Sequence, residues 1–213
     1  MFPDLIPLGN GNAIQSYDVM VVLGIIAAIL LYRLLSKRVG LSDKAYNFYL
    51  YTSLAAVVFG FVFAAIFDAL YKGKFVQLLR YVFSFGKQDS ESGLTFYGGL
   101  IGGVLTFVVA YFIAKPPVRK EFYKLLLFAP ACVLAAHMFG RLGCFLAGCC
   151  YGRPGTGFLY FDFYPFDGVT NLGVQLIEAL FIGALIYPAL RWKKFSAFIY
   201  LFGYGLFRFV IEF

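Results

Sequence analysis

Charge is scarce in this sequence, and histidine is nearly absent. Only 14% of the 213 residues are charged, and the chain has a single histidine. Soluble globular domains carry about 25% charged residues, so the low charge and the mean hydropathy of +0.81 exclude a water-soluble enzyme. The 27 phenylalanines and 16 tyrosines argue against a disordered chain. We therefore expect one membrane-embedded domain covering residues 1–213.

Apolar runs long enough to cross a membrane occur six times. A spanning helix needs about 20 apolar residues, and these runs lack the period-2 alternation of barrel strands. The sequence therefore predicts an all-α, polytopic membrane bundle of about six transmembrane helices. The first run begins too late, and lacks the basic leader, for a cleaved signal peptide. The predicted spans are Val19 to Leu35, Tyr46 to Phe67, Ser92 to Ala114, Leu125 to Gly140, Asn171 to Leu190 and Phe195 to Phe213.

Basic residues accumulate next to alternate connections between the spans. The connections after spans one, three and five account for 11 of the 18 lysines and arginines. By the positive-inside rule these connections are cytoplasmic, and both termini are extracytoplasmic. The net charge of +7 then reports topology, and no nucleic-acid partner is expected. In one long outer connection, Phe75, Leu78, Leu79 and Val82 recur at helical spacing, which fits either an interfacial amphipathic helix or a plain connecting helix.

Ionisable side chains within the last two spans are costly in a membrane and mark candidate functional positions. Glu178 shares a helical face with Gln175, three residues earlier in the fifth span. Arg208 and Glu212 lie four residues apart on one face of the last span. The structural alternative is that Glu178 simply pairs with Arg208 and neutralises both charges.

A further pair lies at the outer end of the fourth span. His137, the only histidine, stands four residues before Arg141, so the two share a face if the helix continues. The alternative for His137 is a packed histidine that a neighbouring helix satisfies. Because guanidinium groups bind phosphate bidentately and stay charged, the arginines predict a pocket for an anionic headgroup.

Glycine is concentrated in two stretches of the chain. Phe96 to Gly103 reads FYGGLIGG at the start of the third span, where small residues let backbones approach one another or a bound lipid. Gly140 to Pro154 reads GRLGCFLAGCCYGRP and indicates irregular backbone that lines a cavity. These stretches, followed by VQLIEAL at Val174 to Leu180 and GYGLFRFVIEF at Gly203 to Phe213, resemble in order the motifs of the prolipoprotein diacylglyceryl transferases.

The resemblance implies a reaction on a membrane lipid. The family transfers the diacylglyceryl group of phosphatidylglycerol to the lipobox cysteine of a secreted prolipoprotein, at the outer face of the cytoplasmic membrane, and releases glycerol phosphate. The expected partners are therefore phosphatidylglycerol or a related anionic phospholipid, and a lipobox segment or another thiol acceptor. Carried over to this chain, Arg141 is the signature arginine, and Arg208 and Glu212 are the essential pair. No cofactor is expected.

Several positions depart from the family pattern. Tyr97 replaces the family histidine, and Cys144 replaces the signature asparagine. We expect His137 to take over as the base that deprotonates the acceptor thiol, with Tyr97 or substrate-assisted proton loss as the alternatives. A divergent paralogue that serves as a lipid- or thiol-binding or redox scaffold is the alternative function. The predicted substrate-binding positions are Tyr17, which matches the tyrosine at the start of the family's first span, and Gly98, Gly99, Gly143, Gly152, Gln175 and Glu178.

Four cysteines complete the set of candidate residues. Cys132 lies within the fourth span and is expected to be a small packed side chain. Cys144 could form a disulfide with Cys149 or Cys150, or one of the three could be a reactive thiol. With one histidine and no repeated CxxC spacing, metal binding is the weakest interpretation, and no metal site is predicted.

Overall fold

The computed structural model describes the backbone of residues 4–9, 12–73, 95–163 and 166–212. Side chains are described from residue 15 onward within these ranges, except those of Phe96 and Glu212. The chain forms two compact units, one of Met1–Gly40 with Tyr123–Phe213 and one of Leu41–Phe122. The first is called the polar unit below because it holds the predicted ionisable residues, and the second is called the glycine unit.

The described elements are mostly helical. Two short antiparallel hairpins, β1 with β2 and β3 with β4, accompany the helices. In chain order the elements are β1 (Asp4–Gly9), β2 (Asn12–Gln15), α1 (Ser16–Val39), α2 (Asp43–Tyr71), α3 (Phe96–Ile113), α4 (Pro116–Lys120), α5 (Phe122–Leu126), α6 (Ala129–Ala147), β3 (Tyr160–Asp162), β4 (Thr170–Leu172), α7 (Val174–Arg191), a 3-10 turn (Lys193–Phe195) and α8 (Ser196–Glu212).

Every predicted span overlaps a helix, and the polytopic helical fold class is confirmed. Among the described residues, five helices are long and apolar enough to cross a membrane, and the apolar helix Tyr97–Ile113 is shorter. The two hairpins are minor additions to this helical fold, and each of their strands has only three to six residues. The helix proposed around residues 75–82 lies outside the described residues.

Helix α6 extends further than the sequence suggests. The predicted span stops at Gly140, but α6 continues to Ala147, so the irregular backbone expected from Gly140 onward is a wrong prediction for its first eight residues. Gly140 adopts ordinary helical geometry, and the helix ends only where Gly148 takes a left-handed conformation, with φ of 73°. A left-handed residue ends a helix because it turns the backbone away from the helical path. Glycine commonly occupies this position because residues with a side chain rarely adopt the conformation. His137 and Arg141 therefore lie on consecutive turns of one helix, as predicted.

In the polar unit, the helices pack side by side through small residues and stacked aromatic rings. Helix α1 packs against α6, α6 against α7, and α7 against α8. A Cβ atom on Gly24 of α1 would lie 3.0 Å from Cβ of Phe139, so glycine allows this close approach. Between α7 and α8, the rings of Phe181 and Phe207 stack with centroids 4.2 Å apart. In lipid, close packing of this kind holds helices together because apolar burial alone supplies no driving force.

The β3–β4 hairpin holds the segment that follows α6. Gly152 donates its backbone N–H to the Leu172 carbonyl at 2.8 Å, and Leu172 donates to the Arg153 carbonyl at 3.0 Å. Phe163 is buried, and its ring stacks on Tyr151 with centroids 5.0 Å apart. These contacts fix the end of the glycine-rich stretch from Gly140 to Pro154 against β4, directly before α7 begins.

In the glycine unit, α2 packs against α3. A Cβ atom on Gly98 would lie 2.6 Å from the Phe63 backbone oxygen, and one on Gly102 would lie 2.7 Å from the Phe63 Cβ. No larger residue fits at either position without moving the backbone. Thr95 donates its hydroxyl to the Ala64 carbonyl at 2.9 Å and so fixes the start of α3 on α2. The predicted close backbone approach is confirmed, and its partner is α2.

Candidate anion-binding site

A buried carboxylate is the centre of the candidate site. The side chain of Glu178 on α7 is 1% exposed, and its Oε1 atom lies 2.9 Å from Nη2 of Arg141 on α6. Its Oε2 atom lies 3.7 Å from Nη1 of Arg208 on α8. One carboxylate thus lies between two guanidinium groups from two different helices. The contact with Arg208 is a longer ion pair, since Oε2 has no hydrogen-bond partner among the described residues. The predicted pairing of Glu178 with Arg208 is present, and the closer pairing with Arg141 was not predicted.

Both arginines keep exposed surface. The side chain of Arg141 is 22% exposed and that of Arg208 is 38% exposed, whereas the carboxylate between them is almost fully covered. Within the described part of the chain, the contacts of Arg141 with protein oxygens all run through Nη2. Its Nη1 and Nε atoms still carry N–H donors, and a guanidinium has five in a fixed fork. An anion that reaches Arg141 therefore meets donors already aimed by Glu178. The backbone of Glu212 belongs to α8, and its side chain lies outside the described residues.

Two tyrosines of α8 complete the polar cluster, and neither is among the predicted site residues. The Tyr204 hydroxyl donates to Oε1 of Glu178 at 2.5 Å and accepts from Nη2 of Arg141 at 3.3 Å. The Tyr200 hydroxyl lies 3.3 Å from Nδ1 of His137. The sequence offers one signal for these tyrosines: Tyr200, Tyr204 and Arg208 are spaced four residues apart, so they share one face of a helix.

His137 lies beside this cluster. Its ring packs edge-on against Tyr204, with centroids 4.7 Å apart. It is therefore joined to the Glu178 carboxylate through one tyrosine. The contacts with Tyr200 and Tyr204 are those expected of a histidine packed against a neighbouring helix. The role of His137 as a base stays a prediction.

The predicted residues at the start of α1 and on its neighbours also belong to the polar unit. A Cβ atom on Gly143 of α6 would lie 3.2 Å from Cδ2 of Tyr17, so glycine gives Tyr17 room against α6. Tyr17 is close enough to Arg141 and to Cys144 to interact with them electrostatically. Gly152 packs against the start of α7, where a Cβ atom would lie 2.5 Å from Cγ2 of Val174.

Gln175 connects α7 to the segment after α6. It is fully buried, and its Nε2 atom donates to the Cys149 carbonyl at 2.5 Å. Its Oε1 atom has no hydrogen-bond partner in the part of the chain that the structure describes. The predicted substrate-binding role of Gln175 stays a prediction, and the structure shows that this side chain positions Cys149.

The predicted residues of α3 lie in the glycine unit. Tyr97 is 75% exposed, and Gly98 and Gly99 pack against α2. The structural contacts of the two glycines are with the backbone and side chains of α2, which gives them a packing role. Their predicted roles in binding or catalysis remain predictions.

The predicted disulfide is absent from the structure. Cys144, Cys149 and Cys150 are all free thiols, and so is the buried Cys132. After the turn at Gly148, the sulfur atoms of all three residues lie close together, and no two of them form a disulfide bond. Burial and the neighbouring thiols of Cys144 and Cys150 raise the pKa of Cys149 to about 12. Because nucleophilic cysteines have a lowered pKa, this environment does not activate Cys149.

Fold and site together define a class of protein. The chain is a multi-pass helical membrane protein with two arginines, contributed by separate helices, around one buried glutamate. Arginine in such a setting is typical of sites that hold phosphate or carboxylate groups.

Comparison with known proteins gives the family. The family model described as prolipoprotein diacylglyceryl transferase matches residues 3–213. Phosphatidylglycerol--prolipoprotein diacylglyceryl transferase of Clostridium tetani (strain Massachusetts / E88) is 29% identical, over 95% of this chain and 81% of the relative. Phosphatidylglycerol--prolipoprotein diacylglyceryl transferase 2 of Clostridium perfringens (strain 13 / Type A) is 30% identical, over 95% of this chain and 79% of the relative. The chain therefore belongs to the prolipoprotein diacylglyceryl transferase family, as its motifs predict.

Proposed function

We propose that this chain transfers the diacylglyceryl group of phosphatidylglycerol to a cysteine thiol of a prolipoprotein. The observation that carries the proposal is the convergence of Arg141 and Arg208 on Glu178 within the polar unit. The names of its relatives give the same reaction. The proposed location is the cytoplasmic membrane, where the chain is a multi-pass protein.

In this proposal the two arginines bind the phosphate of the lipid headgroup. Arg141 presents its Nη1 and Nε donors, while its Nη2 is held by Glu178 and Tyr204. Arg208, more exposed and 3.7 Å from the carboxylate, contributes a second positive charge. Fixed donors stabilise the negative charge that develops on a leaving phosphate, and they need no rearrangement as it forms. Glu178 acts as the positioning residue for both.

The bond changes follow from the two substrates. The acceptor thiol loses its proton, and its sulfur forms a bond to the terminal glyceryl carbon that carries the phosphate oxygen. The carbon–oxygen bond breaks, and glycerol phosphate leaves with the electron pair. A thiol with an ordinary pKa of about 8.5 needs a base or a positive field to react as thiolate. We propose His137 as that base, with Tyr97 as the alternative.

The test is lipid transfer by the purified chain in vesicles. A lipobox peptide with cysteine is incubated with the chain in phosphatidylglycerol vesicles, and the peptide mass is followed. The matched controls are vesicles of phosphatidylcholine and a peptide with serine in place of cysteine. We expect a mass gain of one diacylglyceryl group only with phosphatidylglycerol and cysteine together. A folded chain that binds phosphatidylglycerol and leaves the peptide unchanged would establish the lipid-binding scaffold function instead.

A further inference from the structure

Three thiols form a compact cluster at the end of α6. The sulfur atoms of Cys144, Cys149 and Cys150 all lie within 4.8 Å of one another. No other group of three ligating side chains this close occurs among the residues that the structure describes. In a tetrahedral zinc site with Zn–S bonds of about 2.3 Å, the sulfurs are about 3.8 Å apart. Shifts of about 1 Å, within the reach of side-chain rotation, would therefore make the cluster a set of three zinc ligands.

The backbone that carries the three thiols has two left-handed residues. Gly148 and Cys150 both have left-handed backbone conformations, with φ of 73° and 62°. For a non-glycine residue such as Cys150 this conformation costs about 1–3 kcal/mol, and such strain is typical of functional sites. The two turns fold residues 149 and 150 back towards Cys144, and the Cys149 N–H donates to the Cys144 carbonyl at 3.1 Å.

A buried side chain from another helix fixes the same segment. Gln175 of α7 donates to the Cys149 carbonyl, so the position of Cys149 depends on α7 as well as on α6. Cys149 and Cys150 are exposed and Cys144 is half-buried, so an ion can reach the sulfurs from the surface.

We propose that Cys144, Cys149 and Cys150 bind one Zn²⁺ ion through their three thiolates. Each thiol gives its proton to the solvent and forms one S–Zn bond, and no electron is transferred. With three protein ligands the ion would keep an open fourth position, as zinc sites of this ligand number do. The proposal departs from the expectation, drawn from cysteine spacing, that the chain has no metal site. It does not depend on the proposed transferase activity.

The test measures metal binding by the full chain in detergent. The chain is freed of metal, kept reduced with a phosphine and titrated with Co²⁺, which reports thiolate ligands by its charge-transfer absorption. We expect this absorption to saturate at one equivalent and to disappear when one equivalent of Zn²⁺ is added. An absence of the band in the folded wild-type chain at saturating Co²⁺ would overturn the proposal without any variant.

Variants then identify the ligands. Cys144→Ala, Cys149→Ala and Cys150→Ala are each expected to weaken Zn²⁺ binding by more than about 100-fold, since even changes to outer-shell partners cost about 10- to 100-fold. The matched control is Cys132→Ala, which removes a buried thiol of the same helix outside the cluster. Thermal melting of each variant verifies that it is folded. Equal Zn²⁺ affinity in all four variants would contradict the assignment.

Discussion

Replacing Glu178 by glutamine is the sharpest perturbation of the site. The substitution keeps the shape of a side chain that is 1% exposed but removes the charge that faces Arg141 at 2.9 Å and Arg208 at 3.7 Å. Breaking a buried ion pair costs about 3–5 kcal/mol. Because Arg141 is 22% exposed and Arg208 38%, solvent screens part of their charge, and we expect a loss of about 2–4 kcal/mol.

The assay is reversible unfolding of the chain in mixed micelles of mild detergent and dodecyl sulfate. A double-mutant cycle with Arg141→Met isolates the pair, and we expect a coupling energy of about 1.5–3 kcal/mol. Tyr204→Phe removes two hydrogen bonds, one to Glu178 and one from Arg141, and should cost about 1–3 kcal/mol, since one such bond in a membrane bundle contributes about 0.6 kcal/mol on average and about 1.7 kcal/mol at most. The matched control is Tyr187→Phe, since Tyr187 is exposed on the same helix as Glu178. A coupling energy below about 0.5 kcal/mol, the error of additivity, would refute the Arg141–Glu178 contact.

Three further predictions concern activity and packing. Arg141→Lys keeps the charge but loses the guanidinium fork. We expect kcat for lipid transfer to fall about 100- to 1,000-fold, as when one fixed donor to a developing anion is removed. A change in KM alone would show that Arg141 binds the substrate and the transition state equally well. His137→Gln should lower kcat and remove one limb of its pH profile, and an unchanged profile would exclude His137 as the base. Gly98→Ala should lower stability by about 1–3 kcal/mol in the unfolding assay, because its Cβ would lie 2.6 Å from the Phe63 backbone oxygen. Gly205→Ala, where a Cβ meets nothing within 4 Å, is the control, and an equal loss in both variants would contradict the packing account.

Much of the fold follows from hydropathy because a membrane helix must satisfy its backbone within itself. Each long apolar run of this chain overlaps a helix for that reason. The end of α6 differs from the prediction because glycine weakens a helix, yet α6 tolerates Gly140 and Gly143 at a cost of about 1 kcal/mol each. The hairpins were missed because their strands carry no long alternating pattern.

The site was only partly predictable. Glu178 and Arg208 stand out because a charge inside an apolar span is rare. Arg141 stands out because it follows His137 by four residues at the outer end of the fourth span and matches the signature arginine of the family. Which arginine lies closer to Glu178 depends on how α6, α7 and α8 are rotated about their axes, and hydropathy does not specify this. Tyr204 gave little signal because tyrosine is common in this chain, and only its contacts distinguish it from the others.

The cysteines show a different limit of sequence reasoning. Their spacing predicts that Cys144, Cys149 and Cys150 lie near one another, and they do. Whether two of them pair or all three gather depends on the backbone between them. Cys150 has a left-handed backbone conformation, which the residue pattern does not predict.

The most direct test of the central claim is the ratio of the two products in one reaction. The chain in phosphatidylglycerol vesicles is given a lipobox peptide, and the diacylglyceryl thioether and free glycerol phosphate are both quantified over time. If Arg141 and Arg208 hold the phosphate as the leaving group, the two products form in equal amounts, and Arg141→Ala slows both to the same extent. Glycerol phosphate released without thioether, or a thioether yield unaffected by Arg141→Ala in a folded chain, would contradict the account.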